Sequence, residues 1–102
     1  MAVKPPMTPS QLRMARAALK LTVRELEART GVKKNTISRY EAGREILAGA
    51  VQKLETLFRK EGITFLYEDP ARGPGLVLSK DLSHRLGEGA ESRPKTKPAK
   101  PK

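Results

Sequence analysis

Five polar side chains fall within one short stretch of the chain: Lys33, Lys34, Asn35, Thr36 and, one helical turn further on, Arg39. Lysine and arginine donate hydrogen bonds to O6 and N7 of guanine, and asparagine pairs bidentately with N6 and N7 of adenine. If the stretch is helical, Asn35 and Arg39 lie four residues apart on one side of it. Lys34, Asn35 and Arg39 are therefore candidates for reading base edges. Lys33 and Thr36, together with Thr22 and Arg24 upstream and Arg44 downstream, are donors suited to phosphate oxygens, which fix register without carrying sequence information. The same residues also suit an ordinary solvated helix face, so their meaning depends on the frame that holds them.

That frame is legible between Thr22 and Gly43, in TVRELEARTGVKKNTISRYEAG. Thr22 with Glu25 three residues later forms a capping box, Gly31 can take the left-handed turn, and Ile37 and Tyr40 are spaced to pack back on Leu26. The pattern predicts a helix over about 23–29 and a second over about 34–42, stopped at Gly43. Two helices joined by a glycine turn make a helix-turn-helix, whose second helix presents its N-terminal half to the DNA major groove. Backbone N–H groups at the start of the first of these helices also point toward an approaching phosphate. Thr22 has two readings, as a local cap or as a phosphate contact.

Upstream, Thr8, Pro9 and Gln11 mark another helix start, and Leu12, Ala15, Arg16 and Leu19 follow at helical spacing over about 9–20. Downstream, Val51, Leu54, Leu57 and Phe58 line one face of a fourth helix over about 47–61, with Gln52, Lys53, Glu55, Arg59 and Lys60 mostly facing water. After Gly62 the period changes. Ile63–Tyr67 and Leu76–Leu78 are short apolar runs around a turn-forming stretch, which predicts a hairpin.

Over about residues 8–61 the chain resembles the XRE-like (Cro-like, phage-repressor-type) helix-turn-helix DNA-binding family. The matching residues are Arg16, Glu25–Leu26, Gly31–Val32, Thr36–Ile37 and Tyr40–Glu41–Ala42–Gly43. The resemblance implies that Lys34, Asn35 and Arg39 stand where base-contacting side chains belong. It also implies that Arg16 and Glu41 form a structural ion pair tying the first helix to the end of the recognition helix. The chain departs from the pattern four residues before the turn glycine, where a small residue is usual and Glu27 stands. Either Glu27 turns to the helix edge or the helices sit further apart.

Composition limits the alternatives. With 102 residues, the chain supports one domain with a modest core. It has no cysteine and one histidine, His84, so neither a disulfide framework nor a thiolate or zinc site is expected, and no cofactor is called for. No apolar run approaches the roughly 20 residues that span a bilayer. The formal charge is +10, and residues 1–79 alone hold fourteen basic and eight acidic groups, net +6. Such a field favours polyanions. Catalytic readings are weak: Ser38 and His84 lie far apart in sequence, and Gly73–Pro74–Gly75 lacks the pattern of a phosphate-binding loop. The protein is not expected to be an enzyme.

The expected fold is mainly α: a flexible arm (1–7), a four-helix repressor-like helix-turn-helix domain (8–62), a short β-hairpin (63–79) and a disordered basic tail (80–102). The hairpin carries Phe65, Tyr67, Leu76 and Leu78. It either packs on the fourth helix or pairs its edge with a second subunit, which makes these four residues candidates for dimerisation. The leading functional expectation is a cytoplasmic, nucleoid-associated transcriptional regulator, a repressor acting as a homodimer on double-stranded DNA at a pseudo-palindromic operator. An antitoxin-type autoregulator, binding a toxin through its C-terminal part, and a basic protein-interaction adaptor with nonspecific nucleic-acid binding are the alternatives.

Overall fold

The computed structural model describes residues 6–87; the rest of the expected arm and the SRPKTKPAKPK stretch lie outside the described residues. The elements are α1 (Pro9–Leu19), α2 (Val23–Thr30), α3 (Lys34–Glu41), α4 (Ala48–Glu61), β1 (Ile63–Leu66), β2 (Gly75–Leu78) and α5 (Lys80–Arg85). Both expected capping boxes form. The hydroxyls of Thr8 and Thr22 accept from the N–H groups of Gln11 and Glu25, whose side chains accept in return from the cap N–H groups. Gly31 stops α2 with φ +83°, a left-handed conformation that glycine adopts without a Cβ penalty. Gly62 ends α4 at φ +108°, and a Cβ there would lie 2.5 Å from Ser79 Oγ. The chain therefore needs glycine at position 62 both to turn and to let β1 and α5 approach.

The fully buried side chains of Leu12, Ala15, Leu26, Ile37, Leu54 and Phe58 bring α1 through α4 around one core. β1 and β2 pair antiparallel with Ile63 opposite Leu78 and Phe65 opposite Leu76. The hairpin lays Ile63 and Phe65 on that core, with the Phe65 ring edge-on to Phe58 at 6.3 Å between centroids. The hairpin therefore packs on α4. Gln11 anchors it from the other side. This buried amide donates to the carbonyl oxygens of Leu66 at 2.7 Å and Gly75 at 2.8 Å, so one side chain serves both the α1 cap and the hairpin end.

Three local expectations need correction. Met7, expected in a loose arm, is fully buried and occupies, with Leu12, the two positions of a hydrophobic staple around the Thr8 cap. Its backbone is held on both sides: its N–H donates to Glu55 Oε2 at 2.6 Å and its carbonyl accepts from the Tyr40 hydroxyl. Glu55, expected to face water, is consequently buried, and Arg59 one turn on lies 3.6 Å from it. Order also continues past Lys80. Ser79 caps α5 by accepting from the Leu82 N–H, Leu82 is buried, and Arg85 reaches back to the Glu61 carboxylate and carbonyl. In the sequence, the charged residues around Leu82 and Leu86 hide their short apolar spacing.

Two outcomes follow from this packing. Because Leu82 fills core space, Leu82→Ala should lower the unfolding free energy by about 2–5 kcal/mol in a denaturant titration, and a chain ending at Leu78 should unfold at a lower temperature than the full chain. Burial, and secondarily the charge of Glu55, raise the Tyr40 pKa above its ordinary value. A phenol with a raised folded-state pKa contributes stability that is fully present below the unfolded value of about 10 and is lost as pH climbs through the folded value. Thermal unfolding above about pH 10 should therefore show a steeper loss for the wild type than for Tyr40→Phe.

Candidate nucleic-acid interface

The eight-residue α3 is too short to hold its shape as an isolated helix, so its position comes from contacts at both ends and from Ile37, which is buried between them. At the C-terminal end the expected ion pair is present. Arg16 grips Glu41 with two parallel hydrogen bonds, Nε to Oε2 at 2.7 Å and Nη2 to Oε1 at 3.0 Å, while Nη1 donates to the Leu21 carbonyl at 3.0 Å. Arg13 adds a bond to the Glu41 carbonyl. The pair is half-buried, with Glu41 12% and Arg16 28% exposed. Hydrogen bonding of its guanidinium to the Glu41 carboxylate raises the Arg16 pKa despite the opposing effect of burial, so the guanidinium stays charged.

With α3 fixed, its other face is free. Lys33, Asn35 and Arg39 are exposed and Lys34 and Thr36 partly so. Thr22, Arg24 and Arg44 are also exposed, Thr22 and Arg24 at the start of α2 and Arg44 just past α3. Thr22 is engaged as a cap, but its hydroxyl only accepts there, and its own proton remains available. A groove between α3 and the start of α4 gathers Lys33, Thr36 and Arg39 together with Lys53. In the sequence Lys53 is one more solvated residue of α4. Its periodicity places it on the polar face, and only the approach of α4 to α3 shows which side that face meets.

The cations divide into two groups. Arg16, Arg29, Arg59, Arg72 and Arg85 each pair with a carboxylate. Among the described residues, Arg24, Lys33, Lys34, Arg39, Arg44 and Lys53 pair with none. Arg13, Lys20, Lys60 and Lys80 are also without a carboxylate partner, but they stand apart from that group, Arg13 on the Glu41 backbone carbonyl and the three lysines at the ends of α1 and α4 and the start of α5. The larger share of uncompensated positive charge is thus collected on α2, α3 and the groove beside them, where it can neutralise phosphates.

The hairpin residues are used differently from the helix face. Phe65 is buried in the core, Leu76 and Leu78 pack against it partly buried, and half-buried Tyr67 lines a shallow groove with Met7 and Pro74. On the outer face the Thr64–Val77 pair is exposed. The described residues contain no group of His, Cys, Asp and Glu arranged to hold a metal, and no helix among them is long and apolar enough to cross a membrane.

A capped helix, a glycine turn and a second helix with free donors on its outer face define a helix-turn-helix DNA-binding domain. The helix-turn-helix family model HTH_3 matches residues 12–64, just over half of the chain, and the chain belongs to that XRE-type family of DNA-binding transcription regulators. No curated protein matches the chain.

Arg16→Ala should leave the Glu41 carboxylate half-buried without its partner and lower the unfolding free energy by about 1–3 kcal/mol. Arg16→Lys should recover only part of this in the same titration, since lysine cannot reproduce the two-bond fork.

Proposed function

We propose that the protein is a sequence-specific repressor that acts in the cytoplasm, at the nucleoid, by occupying an operator. The observation that carries this reading is the unpaired positive charge on the α2–α3 face, set against ion-paired arginines elsewhere. Lys34, Asn35 and Arg39 enter the major groove and read bases. Thr22, Arg24, Lys33, Thr36 and Arg44 hold the phosphates on either side, joined by Lys53 from α4. A single helix-turn-helix covers one half-site, so the operator is a pseudo-palindrome read by two copies. With Phe65, Leu76 and Leu78 turned to the protomer's own core, the copies meet through the hairpin's edge and its outer Thr64–Val77 pair. Five basic residues between Ser92 and Lys102 add affinity that is independent of sequence.

Selection of bound sequences from a random duplex pool, run on the wild type and on the Lys34→Ala, Asn35→Ala, Arg39→Ala triple variant, tests this reading. A two-fold symmetric motif recovered by the wild type and lost by the variant is the expected result. Equal bulk binding with no motif in either protein would instead favour the adaptor reading.

A further inference from the structure

The departure at Glu27 has a structural outcome. Lys33 stands at the N-cap of α3 and provides no side-chain acceptor, leaving the first N–H groups of the recognition helix without a local cap. Glu27 supplies one from the preceding helix: its Oε1 accepts the Lys34 N–H at 3.2 Å. The Glu27 backbone carbonyl accepts the Gly31 N–H at 2.7 Å. A single residue thus closes the turn at both ends, its carbonyl stopping α2 and its carboxylate starting α3. The longer side chain that stands where a small residue is usual is put to use in this contact.

The location matters for recognition. A helix N-terminus carries partial positive charge and free N–H donors, and anions, phosphates included, favour it. At the start of α3, a DNA phosphate could compete for the same donors that serve Lys34 and its neighbours. An internal carboxylate already bonded there repels that phosphate and holds the Lys34 backbone in place. We propose that Glu27 is a positioning residue that determines specificity: it keeps a DNA phosphate off the Lys34 backbone N–H, so that phosphates are held by the flanking side chains, Lys33 and Thr36 among them, and Lys34 and Asn35 are directed to base edges. This inference rests on the sequence-specific DNA-binding reading above.

The test uses the full chain as wild type, Glu27→Gln and Glu27→Ala. Affinities for the selected site and for a scrambled duplex are measured by fluorescence anisotropy over a salt series, with thermal unfolding in parallel. For Glu27→Ala, the ratio of site to scrambled affinity should fall about tenfold as the charged acceptor is lost, while scrambled binding holds or rises. Its salt slope on scrambled DNA should steepen by up to about 0.9 if one further phosphate is engaged. Glu27→Gln keeps a neutral acceptor of the same shape and should lie between the two; it carries the test alone should the alanine variant fail to fold. Parallel losses on both duplexes with a lowered unfolding temperature would make Glu27 purely structural and overturn the inference. Parallel gains on both would make it a mere repulsive surface charge and overturn the inference equally. A wild type that prefers no sequence would overturn the regulator reading and this inference together, whereas a selective wild type with unchanged ratios in both variants would overturn the inference alone.

Discussion

The grip of Arg16 on Glu41 is the contact on which the placement of the recognition helix depends. Its guanidinium joins three parts of the chain: α1, where it resides, the Leu21 carbonyl in the turn before α2, and the last residue of α3. A planar fork restrains both distance and orientation, which a lysine at the same place would not do. Because the pair is only partly accessible, each charge depends on the other, and the geometry is correspondingly restrictive. Tyr40 extends the same end of α3 to Met7, and Met7 in turn is held by Glu55 of α4. A helix of eight residues, with little stability of its own, is in this way held from α1, α4 and the N-terminal segment.

The distribution of acidic residues follows from the same requirement. Glu41, Glu55 and Glu61 face arginines or backbone donors on the structural side of the molecule, where they join α1 to α3, the N-terminal segment to α4, and α2 and α5 to the end of α4. These three carboxylates are engaged away from the outer face of α3; the acidic residues nearest that face are Glu27, bonded to the Lys34 N–H, and Glu45, which lines the groove beside it. Net charge alone would describe a body attractive to any polyanion. The pairing pattern localises that attraction to one surface, and localisation is what converts electrostatic affinity into a defined orientation on DNA.

How much of this could be read from the residues depends on the range of the interaction involved. Capping boxes at Thr8 and Thr22, the glycine stops at Gly31 and Gly62, and the change of period after Gly62 are local signals, and each element they mark is present within a residue or two. The Arg16–Glu41 pair spans 25 positions and is accessible only through resemblance to a family. The clasp of Met7 by Glu55 joins residues 48 apart, and in sequence Glu55 is one more charge on the polar face of an amphipathic helix. Leu82 is obscured for a related reason: two leucines within a basic, polar segment give too little periodicity to signal a helix, yet Ser79 caps it and the core accepts it. Lys53 belongs to the same class, since its importance comes from the neighbouring helix rather than from its own.

The hairpin shows what a closed protomer implies for assembly. Had Phe65, Leu76 and Leu78 remained exposed, folding would have required a second copy, and protomer concentration would have entered the stability of every chain. They are instead drawn onto α1 and α4, with Gln11 holding the paired strands at one end, so each protomer completes its core without help. Under the proposed reading, association then has only the modest surface of an edge and the Thr64–Val77 pair to work with. A contact that small is weak between free molecules but becomes effective once two half-sites on one duplex bring the copies together, because tethering supplies an effective concentration far above that in solution. DNA would act in this arrangement as the scaffold that completes the dimer, and the spacing of the half-sites would decide whether the edges can meet.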